Sequence, residues 1–374
     1  MRRLATGQLM NTPEGVKKFG GGMPLTAADT PAAAQLAGTK ESVGPSTVSV
    51  CRGCHCLQHS PDESNLYRQP NSFLSGCPGW AAKCSGRKQV FKLRSKDDLL
   101  EYASLVMKWE RGVISHSALT DWLQKHGINT FQTGFARVPL YNPVTGAPMD
   151  AMHVLFEGIT RLLLGIVVYY ADRHWGVPVK RLVSRIAKYS KKHKLGAGFF
   201  PHVNSTRAAY LRTGVKGKKP RSDTAYPGTA IQLKHLAEHA IQILSPLVKK
   251  QHKQSPAWMC LVVHVEIVHL LMQRSFTMDD ILTLDRKIWL HDSIWLKAPE
   301  LRRCWKPKNH YLSHFPLDIL RWGPPRSYWC TPFEGENQDF KGWAKRRCDS
   351  TPCHLPHTPA HAPVWHSRIS ARLK

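Results

Sequence analysis

"PMDAMHVLFEGITRLLLGIVVYY", residues 148–170, carries the clearest structural signal in the chain. Met152, Leu155, Phe156, Ile159, Leu162 and Leu163 recur at helical spacing. Asp150 stands just ahead of them, after Pro148, where its carboxylate can cap the first turn. His153 follows three residues later, so the two side chains share a helical face. Two readings are open. Either Asp150 is a cap and His153 a hydrogen-bonded first-turn residue, or the pair is part of a metal-ligand set.

Outward from this stretch the pattern stays helical. From Met152 to about residue 300 it is broken at 196–198, at 214–228 and at Ser255-Pro256. Upstream, "SKDDLLEYASLVMKWE" (95–110) predicts a helix, with Ser95 and Asp98 as a capping box and Leu99, Ala103 and Val106 on one face. "ALTDWLQKHGINT" predicts a helix stopped by glycine, and Thr277 ahead of Met278-Asp279-Asp280 starts another. "NHYLSHFPLDILRWGPP" predicts a short helix with a proline stop, and "FEGENQDFKGWAKR" (333–346) a further one. Residues 1–28 are Gly-rich with little pattern. "GGGMPLTAADTPAAAQLAG" reads as loop, short strand and a helix starting after Pro31. Residues 57–95 read as irregular, and the Pro/His-rich tail, 347–374, as disordered. No internal repeat is present.

The 374 residues suffice for one large or two ordinary domains. Their net charge of +27 points to a polyanionic partner, most simply nucleic acid, with a membrane surface as the competitor. The charge is concentrated. Between Lys180 and Lys253, 17 Lys/Arg face two acids, Asp223 and Glu238, so this window supplies +15. Within it, "VKRLVSRIAKYSKKHK" places Val179, Leu182, Val183 and Ile186 on one helical face and basic residues elsewhere. "KGKKPR" (216–221) resembles a nuclear localisation patch. No membrane-spanning segment or signal peptide is expected. "LLLGIVVYY" is short, "WMCLVVHVEIVHLLM" carries His264, Glu266 and His269, and no apolar run follows Arg2-Arg3. The ten cysteines are therefore read as thiols in a reducing compartment, where metal sites are favoured over disulfides.

Cys51 and Cys54 form a C-x-x-C, with Cys56 close by. Two thiolates at that spacing can chelate one zinc ion from a single turn. A thioredoxin-like redox role needs a βαβ context that the surrounding pattern does not supply. Two more ligands are required, and Cys77 with Cys84, or Asp150 with His153, could provide them. Asp29, in "AADTPAA", is either a helix cap or a metal-binding carboxylate at a sheet rim. Glu334, after "RSYWCTPF", is either a surface helix acid or another such carboxylate. No phosphate-binding glycine loop, G-x-S-x-G or H-E-x-x-H occurs.

Taken in order, "EGVKKFGGGMPLTAADTPAAAQLAGTKESVG", "CRGC", "HGINTFQTGFARVPLYNPVTGAPMDAMHVLFEGITRLLL" and "KPKNHYLSHFPLDILRWGPPRSYWCTPFEGENQDFK" resemble a CACTA-type (En/Spm-like) DDE transposase. The resemblance runs from about Glu14 to about Lys345 and implies an α/β fold. A partial ribonuclease-H-like core would occupy 1–50 and a mostly helical insertion 51–330. A helix carrying the last acid would span 331–346, ahead of the tail. It implies catalytic roles for Asp29 and Glu334, binding two Mg²⁺ ions for in-line attack on a phosphodiester. It also implies a zinc-ligand set of Cys51, Cys54, Asp150 and His153. The partner would be transposon-end DNA and the location nuclear, and a homo-oligomer is left open. The family's first catalytic Asp has no counterpart, because Glu14 is the only acid in residues 1–28. The chain is therefore expected to bind DNA as a truncated or decayed transposase without competent nuclease activity. The alternative is a non-enzymatic, zinc-stabilised nucleic-acid-binding module.

Overall fold

The computed structural model describes residues 8–12, 15–19, 27–28, 32–34, 39, 48–58, 67–74, 87–128, 142, 144–201 and 225–331. The chain divides into two units, Met1–Cys330 and Thr331–Lys374, and every described residue but Thr331 belongs to the first.

Helices dominate. Among the described residues the strands are β1 (Gln8–Thr12) and β2 (Gly15–Phe19), paired antiparallel as a lone hairpin. The expected α/β remnant of a ribonuclease-H-like core is thus corrected to a mainly α-helical fold. A layered parallel or mixed sheet needs runs of β-branched residues long enough to be covered by helices on its faces. Here the long apolar runs recur at 3.6-residue spacing, and they bury themselves as helices.

The helices follow in order. α1 spans Lys96–Glu110 and α2 spans His116–His126. α3 spans Met152–His174, π-wound over Met152–Thr160 and α-helical from Arg161. α4 spans Val179–Lys192 and α5 Ala230–Leu244. After a 3₁₀ turn at Lys250–Gln254 come α6 (Pro256–Leu271), α7 (Met278–Lys297) and the single turn α8 (Pro299–Arg302). α9 (Pro307–Leu312) and α10 (Phe315–Trp322) complete the set, with a 3₁₀ turn at Pro325–Ser327.

The boundaries have local causes. Ser95 and Asp98 form the reciprocal capping box of α1, as do Thr277 and Asp280 in α7 and Thr229 and Gln232 in α5. Gly127 ends α2 at φ +63°, a left-handed conformation that an L side chain resists. The single helix anticipated in "NHYLSHFPLDILRWGPP" is two, α9 and α10, because Pro316 occupies the first turn of a new helix after Ser313-His314.

α3 is the core element. It packs against α5, α6 and α9, and Val154, Leu155, Leu163 and Ile166 are fully buried. By length and composition it could cross a membrane, but 72% of its most apolar window is covered by the rest of the protein. In the π turn, the His153 carbonyl accepts from Lys308 Nζ at 2.8 Å. Gly158 makes the approach possible, since a Cβ there would meet Lys308 Cδ at 2.6 Å. This contact seats α9 on α3. α4 buries Val179, Leu182 and Ile186 beside α5, worth about 1.5–3 kcal/mol per side chain. α1 and α2 form a satellite cluster around Tyr102, Leu119, Ile128 and Val144.

Candidate metal centre

The segment Val50–Cys56 is an irregular loop with no helix or strand of its own, yet Val50, Cys51, Cys54 and Cys56 are part of the main core. Hydrogen bonds hold its shape. Arg94, itself buried, donates from Nε to the carbonyls of Cys51 and Cys54, both at 3.2 Å, and from Nη2 to Ser49 Oγ at 2.7 Å. Its backbone N–H donates to the Gly53 carbonyl at 3.0 Å. Arg52 reaches the other way, donating to the carbonyls of Ala147 at 2.6 Å and Pro148 at 2.8 Å. The Tyr311 hydroxyl donates to the Val50 carbonyl. These bonds satisfy loop backbone that would otherwise be costly to bury.

The loop turns three thiols inward. Cys51, Cys54 and Cys56 meet His310 of α9, and their donor atoms all lie within 4.8 Å of one another. Cys54 Sγ is 3.1 Å from His310 Nε2. His314, one turn on, places Nε2 3.3 Å from Cys51 Sγ and 3.4 Å from His310 Nε2. Aromatic rings fix both imidazoles. Phe91 meets His310 edge-on at 5.0 Å, and Phe73 lies 4.3 Å from His314. His310 Nδ1 is buried without a hydrogen-bond partner, so Nε2 is the nitrogen that faces the thiols.

The electrostatics suit a cation. Burial works to raise the Cys51 thiol, but hydrogen bonds from Cys54 and Cys56 and the imidazoles of His314 and His310 hold it well below its ordinary pKa. Burial, with hydrogen bonding to Cys51, pushes Cys54 well above it, and burial with Cys51 and Cys54 does the same for Cys56. One thiolate among crowded thiols is a poor end state for a buried cluster. A divalent ion would let all three ionise, releasing protons as it binds. The group Cys51, Cys54, Cys56 and His310 could bind a metal such as zinc.

Asp150 and His153, expected to complete the Cys51–Cys54 set, fall in a second group with Cys330. There both carboxylate oxygens are engaged. Oδ2 accepts from the His153 backbone N–H at 3.0 Å and faces His153 Nδ1, and Oδ1 accepts from the Cys330 N–H at 2.8 Å. Asp150 therefore caps α3 and staples Cys330 to it. Asp29 and Glu334 lie outside the described residues, as do Cys77 and Cys84.

Sequence reading passed over His310 and His314, although the signal was present. H-x-x-x-H is the second half of a zinc-ligand spacing whose first half is C-x-x-C. Comparison with protein-family models gives no matching family, and comparison with curated proteins gives no match.

Proposed function

We propose that this chain is a zinc-stabilised, mainly helical DNA-binding protein of CACTA-type transposase descent, acting in the nucleus. Three thiols and an imidazole form a soft donor set, which suits zinc rather than Mg²⁺. The metal's role is structural, because Cys51, Cys54, Cys56 and His310 are all buried. Any Mg²⁺ would belong to Asp29 and Glu334, and the proposal uses binding alone.

The observation that carries DNA binding is α4. Its apolar stripe is buried, while Lys180, Arg181, Lys188, Lys191 and Lys192 are exposed, and no acid interrupts them. Such a face neutralises a row of phosphates and displaces their counterions. Titration of the full chain with labelled duplex DNA across a salt series tests this. Affinity should fall steeply with salt. Lys188→Ala, Lys191→Ala and Lys192→Ala together should weaken binding to unrelated sequences alike and reduce the log–log slope by about 2–3. No binding at about 50 mM salt, or a slope unchanged by the triple substitution, would refute the reading.

A further inference from the structure

The centre holds more donors than one zinc ion uses. A four-coordinate ion with bonds of about 2.3 Å to sulfur and about 2.0 Å to nitrogen sets its ligands roughly 3.3–3.8 Å apart. Three contacts fall at or just below those edges: Cys54 to His310 at 3.1 Å, Cys51 to His314 at 3.3 Å, and His310 to His314 at 3.4 Å. They set His314 beside Cys51 and His310, two members of the Cys51, Cys54, Cys56 and His310 group. A four-coordinate ion held by Cys51, Cys54 and His310 has one position left, for which His314 and Cys56 are the two candidates.

His314 is built into place. A Cβ on Gly53 would lie 3.0 Å from His314 Cε1 and 3.2 Å from Nδ1, so the glycine of C-R-G-C leaves room for this ring. On its other side His314 packs against Phe73. His314, itself buried, lines a small surface cleft with Arg52, Gly53 and Asp318, and Cys56 is fully buried.

We propose that the centre is a five-donor site in which His314, ligating through Nε2, exchanges with Cys56 for the fourth position on one ion. Cys51, Cys54 and His310 are the permanent ligands. The inference rests on the zinc reading above. It makes the site tolerant of losing one thiolate, with His314, on the cleft side, as the ligand that enters or leaves.

Cobalt(II) titration of the full-length chain tests it, since thiolate-to-cobalt absorption scales with the number of bound thiolates. Cys56→Ser and His314→Asn should each keep one cobalt with affinity within about tenfold of the parent. Cys51→Ser, Cys54→Ser and His310→Asn should each lose more than about 100-fold. The thiolate band of Cys56→Ser should be about two thirds that of His314→Asn. Adding Gly53→Ala to Cys56→Ser should weaken binding further by crowding the His314 ring. The exchange is overturned if Cys56→Ser binds as poorly as Cys51→Ser, if His314→Asn binds as poorly as His310→Asn, or if the two bands are equal. His314→Asn retains all three thiols, so it reads the proposal even where Cys56→Ser does not fold. A parent chain that binds neither cobalt nor zinc would instead overturn the zinc reading itself.

Discussion

His310 Nε2 lies 3.1 Å from Cys54 Sγ, across 256 residues of chain. The two residues come from unlike settings. Cys54 sits on a loop without regular structure, and His310 on a six-residue helix. Neither element is stable alone, since a helix that short does not persist in water. Their meeting depends on what each leans on: Arg94 and Arg52 behind the loop, and Lys308 against the π turn of α3 behind the helix. A metal ion at this point would close a loop spanning most of the protein and stabilise the fold directly.

Arg94 is the clearest test of that support. It touches no thiol, only the carbonyls of the Cys51–Cys54 turn, Ser49 and His126. Arg94→Met should weaken zinc binding by about 10–100-fold, as loss of an outer support does. Competition with a zinc-chelating dye would measure it. Unchanged affinity would mean that the turn holds its own shape.

Asp150 should behave differently. Its cap to His153 and its bond to the Cys330 N–H predict a loss of about 2–3 kcal/mol on Asp150→Ala. Zinc stoichiometry should not change. Denaturant unfolding and metal analysis of the same sample check both halves. A lost metal ion would return Asp150 to the ligand set.

A pH dependence follows from the α3–α6 contact. His264 is fully buried, hydrogen-bonded to Thr160 at 2.7 Å, and burial, aided by His291, holds it well below its ordinary pKa. His291 is pushed down to about 3 by burial. A histidine depressed in this way takes up its proton only when the chain unfolds. Its contribution to stability is therefore intact above about pH 6.5 and is lost as pH falls towards the folded-state value. Asp292, raised by burial, acts in the opposite sense but is shared by any His264 variant. As pH falls below about 6.5 the parent should lose stability faster than His264→Gln. Parallel curves for the two proteins would contradict this.

The helices were legible because each advertises itself locally. The α1 and α7 boxes, the glycine stop of α2 and the apolar stripe of α4 need only neighbouring residues to form. The α/β expectation failed because it came from a resemblance in motif order, while the spacing of apolar residues, the stronger physical signal, was helical throughout the core. For the metal centre, the C-x-x-C half was visible, while Asp150 and His153, expected to complete it, stand in a separate group with Cys330. Asp150 and His153 have a ligand-like spacing, but Asp150 spends both oxygens on capping and on Cys330. His310 was within reach through its H-x-x-x-H spacing. Which distant residue meets the loop, however, is set by how α9 seats on α3, a tertiary contact made where Lys308 passes Gly158.

The most direct measurement is the metal content of the full-length chain by native mass spectrometry, beside the His310→Asn variant. One zinc ion per parent chain, absent from the variant together with a fall of several degrees in melting temperature, is the predicted result. A parent chain that is folded and metal-free, with a melting temperature indifferent to zinc and to chelator, would contradict a zinc centre joining Cys51, Cys54 and Cys56 to His310.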